Sequence, residues 1–164
     1  MTRFYITLMT VLAMGCLIPL APILAVSADS PIYTHFVYMF GHANLLHWLV
    51  NGWGLLVLHN LFRSYRVVVC WLFAVFITFT PIAASCSQMG LIGASVLTTF
   101  FFGFLTPHLR KTDKTAALQI LAIIVIGFFL PGIAAMPHLA MYLFGLVFFY
   151  LERTCLRFIW FCRE

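Results

Sequence analysis

Charge is what this chain has least of. Charged residues make up 8% of its 164 positions, against about a quarter in a soluble domain, while 64% are hydrophobic. That balance excludes an ordinary soluble domain and points to an integral membrane protein. Acids are rarer still, only Asp29, Asp113, Glu152 and Glu164. The five cysteines, Cys16, Cys70, Cys86, Cys155 and Cys162, form no CxxC pair and imply no disulfide framework. No internal repeat, low-complexity segment or composition break divides residues 1–164, so the chain reads as a single domain. The net charge of +5 comes from lysines and arginines in short segments between apolar runs, which suits a membrane rather than nucleic acid.

What the chain has in abundance is long apolar runs. They predict an all-α membrane protein with six spans, at about 4–26, 43–61, 67–84, 91–105, 116–130 and 138–151. The first run, with Val26-Ser27-Ala28 behind it, resembles a cleavable signal but is too long for one, so it is expected to stay as a span. Arg3 precedes it. Arg63 and Arg66 follow the second run, Arg110, Lys111 and Lys114 the fourth, and Arg153, Arg157 and Arg163 the sixth. The segments between the first and second, third and fourth, and fifth and sixth runs hold no lysine or arginine. The positive-inside rule then puts both termini in the cytoplasm.

Under that topology the polar residues inside apolar runs fall at one depth, near the outer side. His47 and Asn51, four apart, share a helix face. Ser95 follows Gly93 and Ala94 about one turn into the fourth run, and His138 opens the sixth. Chemistry follows from these types. A serine becomes a nucleophile when a histidine base lies within hydrogen-bonding reach. Acyl transfer also needs donors for the oxyanion, which histidine, asparagine and a backbone N–H can supply. Asp29 is the one acid on that side, so a Ser–His dyad is a better expectation than a triad with a carboxylate.

These residues resemble the rhomboid family of intramembrane serine proteases. His42-x4-His47-x3-Asn51 resembles the family's second-span signature, and Gly93-Ala94-Ser95 its nucleophile motif, with Gly103 downstream. His138 followed by Gly145 resembles its sixth-span histidine and glycine. The resemblance implies a small, bacterial-type rhomboid core in the cytoplasmic membrane, with Ser95 as nucleophile and His138 as general base. His47 and Asn51 would stabilise the oxyanion, with His42 and Gly93 supporting the site. Implied substrates are membrane proteins cut in or near a transmembrane helix, with lipid around the enzyme and no cofactor or metal. Three positions depart from the family pattern: Val96, Thr99 and Met141 stand where a glycine, a tyrosine and a glycine are usual. Met141 is expected to hold the fourth and sixth helices further apart.

Other readings compete. A catalytically inactive relative would bind transmembrane helices without cutting them. A metal or haem protein would use His42, His47 and His138, but His42 and His47 lie about 140° apart around a helix, and no acid or cysteine joins them. A transporter would need a repeat or a charged midplane residue, and none is found. His35, His59 and His108 read as structural, Gly52 and Gly54 as points of close helix contact, and Trp48, Trp53, Trp71 and Trp160 as lipid or interface anchors.

Overall fold

The computed structural model describes residues 2–27, 29–84, 90–129 and 133–161, without the side chains of 83, 84 and 156–161. Within these bounds the chain is helical, apart from one isolated antiparallel bridge between Val26 and Leu91. Helix α1 (Thr2–Cys16) stops before Pro19, and a short turn leads into α2 (Ala21–Leu24) at a bend of 52°. Each proline removes a backbone donor and clashes with the preceding turn, which breaks the run in two. Helix α3 (Thr34–Val37) is a single turn in the following segment. Helix α4 (Leu45–Leu58) starts where Asn44 Oδ1 accepts the His47 N–H at 2.9 Å, an N-cap that sets the boundary. Helix α5 (Ser64–Thr78) and the one-turn α6 (Pro81–Ala84) follow. Helix α7 (Ser95–Thr112) begins just beyond Gly93, and α8 (Lys114–Gly127) starts where Asp113 Oδ1 accepts the Ala116 N–H at 3.0 Å. Helix α9 (Ala135–Phe161) is the longest.

Helix α7 is the axis of the molecule: α4, α5, α8 and α9 all pack on it, while α1 packs on α4. Its tightest partner is α9. A Cβ on Gly103 would stand 1.9 Å from the Tyr142 carbonyl oxygen, and one on Gly145 1.9 Å from that of Phe100. The two backbones touch through reciprocal glycines, as small residues permit. Met141 does not hold them apart as expected. It is fully buried in the main core beside Phe100, Phe101, Cys70 and Ala74, so its bulk is taken up there. Beside the middle of α7, Arg66 of α5 pairs with Glu152 of α9 (Nε to Oε1, 2.9 Å) and lies 4.4 Å over the Phe104 ring. Tyr65 donates to the same carboxylate.

The structure keeps the all-α class but overturns the six-span bundle. Among the described residues one segment, Ala135–Cys155 of α9, is long and apolar enough to cross a membrane. The bent pair α1–α2 qualifies only if taken as one unit. Helices α4, α5 and α8 have 14, 15 and 14 residues, about 21–23 Å, against a hydrocarbon core of about 30 Å. Helix α7 has the length, at 18 residues, but carries four threonines, His108, Arg110 and Lys111. The even alternation of basic residues counted apolar runs, whereas caps, prolines and glycines end the helices inside those runs. Only 28% of the apolar window of α9 is buried, so it is not a core helix hidden within the molecule. The segments 85–89 and 130–132, Ala28 of the signal-like triplet, Cys86, Cys162 and Arg163 lie outside the described residues.

Two smaller expectations resolve clearly. Gly52 and Gly54 do mark close contacts: added Cβ atoms would lie 2.6 Å from Val11 of α1 and 3.1 Å from Thr98 of α7. Trp48 is half-buried rather than a surface anchor, and its indole N–H donates to the Val11 carbonyl at 2.8 Å.

Candidate active site

Ser95 is the first residue of α7. The first N–H groups of a helix have no partner within it, so the Ser95 N–H points out of the helix start, where an anion is favoured. The segment leading to it is tied down on both sides. Val26 and Leu91 exchange two backbone hydrogen bonds of 2.9 and 2.8 Å, and the Gly93 N–H donates to the Tyr38 carbonyl at 3.1 Å. Tyr38 is itself anchored, its hydroxyl donating to the Ala74 carbonyl at 2.9 Å. Gly93 has φ +112°, a conformation that side chains other than glycine's rarely adopt, and a Cβ there would be 2.7 Å from the His47 ring. The glycine is therefore required twice, by the turn and by its neighbour.

His138 sits in the first turn of α9, half-buried, with its Nε2 2.7 Å from Ser95 Oγ. Its other ring nitrogen, Nδ1, lies 2.7 Å from the Ala134 carbonyl oxygen. A carbonyl can only accept, so Nδ1 carries the proton. In the neutral ring this leaves Nε2 as the acceptor for the serine O–H. A backbone carbonyl thus sets the tautomer that a carboxylate sets in the Ser-His-Asp arrangement. The Ser95 carbonyl is also engaged, accepting the hydroxyls of Thr98 at 2.8 Å and Thr99 at 2.6 Å.

Asn51 is buried, and its Nδ2 has no hydrogen-bond partner. That amide would lie 3.3 Å from a Cβ on Gly93, so an unspent donor is held beside the turn that carries Ser95. His47 stands on the same face of α4. Its Nδ1 accepts the Ala43 N–H at 3.4 Å, which leaves the proton on Nε2, next to Gly93. Ser95, His138, His47 and Asn51 all line one cavity of about 1120 Å³. The rest of its wall is mainly apolar, with Val50 and Trp53 of α4, Phe102 of α7, and Ile123 and Ile124 of α8.

Four of the six residues singled out by sequence therefore line one space, and Gly93 forms the turn beside them. His42 does not line it. It is fully buried behind His47, and burial, with the neighbouring His47 as a lesser cause, lowers its pKa to about 4, so it is uncharged at neutral pH. Among the described residues no group of three His, Cys, Asp or Glu side chains is placed to hold a metal ion. His35 and His59 make contacts away from the cavity: His35 Nδ1 lies 2.9 Å from Thr78 Oγ1 of α5, and His59 Nδ1 lies 2.6 Å from the Leu56 carbonyl one turn back. Sequence reasoning missed the Ala134 carbonyl, the Tyr38 anchor and the two threonine hydroxyls. The first two are backbone or long-range features with no local signal. Thr98 and Thr99 stand three and four residues after the serine, a spacing that could have flagged them. Compared against protein-family models, curated proteins and solved structures, the chain matches none.

Proposed function

We propose that this chain is a serine endopeptidase, rhomboid-like in its chemistry, that hydrolyses peptide bonds in or near transmembrane helices of other membrane proteins. One observation carries the reading: Ser95 Oγ lies 2.7 Å from His138 Nε2 while Nδ1 of the same ring is bound to a carbonyl. In the proposed reaction Ser95 Oγ attacks the scissile carbonyl carbon as its proton passes to His138 Nε2. The oxyanion that forms accepts hydrogen bonds from Asn51 Nδ2, His47 Nε2 and the Ser95 N–H. Collapse breaks the C–N bond, and His138 gives its proton to the departing amine. Water, deprotonated by His138, then cleaves the acyl-serine ester and restores the enzyme.

The mainly apolar cavity wall favours an apolar peptide over a charged one. For location, the exposed α9 segment Ala135–Cys155 is proposed to lie across the membrane, with its first turn at the site. A serine-directed fluorophosphonate on detergent-solubilised protein tests the chemistry. Wild type should label, and Ser95→Ala and His138→Ala should not, while both variants stay folded by circular dichroism. Cleavage of a transmembrane model substrate should be lost in the same two variants. Full cleavage by Ser95→Ala would remove the mechanism.

A further inference from the structure

Behind the cavity lies a side chain that this chemistry leaves unused. His42 is 0% exposed, and beyond a weak backbone interaction with Phe40 neither of its ring nitrogens has a hydrogen-bond partner. With so little hydrogen bonding, what the buried ring can contribute here is its shape and its place. Its ring stands edge-on to that of His47, with centroids 5.2 Å apart and planes at 71°. The flanking residues are fixed as well. Gly41 is wedged so closely that a Cβ there would meet Ile92 at 2.8 Å and Leu24 at 3.1 Å. Ala43, the next residue, sends its N–H to His47 Nδ1. The buried ring thus pins the short segment whose N–H determines which His47 nitrogen keeps the proton.

We propose that His42 is a positioning residue for His47. Its ring, acting as a wedge, holds the Ala43 N–H and the His47 imidazole so that Nε2–H of His47 faces the turn at Gly93. The role is one of shape, so an aromatic ring without nitrogens can fill it. The kinetic consequence rests on the protease reading, but the tautomer of His47 is a property of the resting protein.

The test is the 15N spectrum of the histidine rings in the full-length chain in detergent micelles, with His47 assigned by its loss in His47→Gln. Wild-type His47 is expected as the Nε2–H tautomer, and His42→Phe should keep it. In His42→Ala the two tautomers should mix, and kcat for a transmembrane substrate should fall roughly 10-fold or more with KM unchanged, as for a misplaced catalytic group. A wild-type His47 protonated on Nδ1 would overturn the proposal, even if the alanine variant fails to fold. So would an unchanged His47 spectrum in a folded His42→Ala, or a His42→Phe variant as impaired as the alanine one. A wild type that cuts nothing would sink the protease reading, while the tautomer measurement would still decide this one.

Discussion

Asn51 serves folding poorly, and on the proposed mechanism it serves the reaction well. Its side-chain amide is buried without a partner, a state that costs stability of the order of 1–3 kcal/mol. On the proposed mechanism that donor is satisfied when an oxyanion forms. Asn51→Ala should therefore lower kcat by about 100-fold without abolishing it, because His47 and the Ser95 N–H remain. The same variant should unfold no more readily than wild type, since it removes an unpaired group. Paired kinetic and thermal measurements check both halves. A variant with normal kcat would remove Asn51 from the oxyanion site. The asparagine was legible in the sequence because it stands four residues after a histidine on one helix face. That its amide is unpartnered was not, because the emptiness around Nδ2 depends on α7 and its preceding turn.

Helix pairing, the next scale, turns on α7 and α9. Ser95, the proposed nucleophile, and His138 belong to different helices, 43 residues apart in the chain. Their 2.7 Å contact depends on how closely those helices cross. Gly103 and Gly145 permit that crossing from either side. Gly145→Ala places a methyl 1.9 Å from the Phe100 carbonyl oxygen, so the helices must part. The expected loss of stability is about 3 kcal/mol, with loss of fluorophosphonate labelling as Ser95 and His138 separate. Gly127→Ala is the control. Among the described residues its methyl would meet only Ile133, at 3.6 Å, an ordinary contact, and should change stability by less than about 1 kcal/mol. Thermal unfolding of both variants in one detergent makes the comparison, and equal effects would refute the crossing account. Sequence pattern suggested small residues at these positions but read Met141 as a spacer. A side chain's length does not tell which way it points, and this one points into the core.

At the scale of the whole molecule the open question is how an apolar surface meets its surroundings. Leu143, Val147 and Leu151 are about half exposed along α9, and Trp53, Leu118 and Phe129 are among the most exposed side chains elsewhere. Exposed apolar surface on this scale marks an interaction with lipid or protein. If α9 lies across a bilayer, Val147→Arg puts a charge in its apolar stretch at a cost of about 2.5–3.5 kcal/mol. The variant should shift from the membrane pellet to the supernatant on alkaline extraction, where wild type stays in the pellet. Equal partitioning of the two would count against the placement of α9.

The sequence by itself determined the apolar, all-helical character, because composition and long apolar runs act over whole windows of the chain. It also singled out Ser95, His138, His47 and Asn51 among the polar groups set inside apolar runs, and the fold places these four around one cavity. Tertiary structure decided the rest. Hydropathy averages across an Asn44 cap, across Pro19 and Pro22, and across the positive-φ turns at Gly90 and Gly93, so it counted runs where the backbone ends helices. The Ala134 carbonyl fixes the His138 tautomer through a backbone atom that every residue type carries. The wedge of His42 behind His47 exists only once α4, α7 and the segments between them have packed.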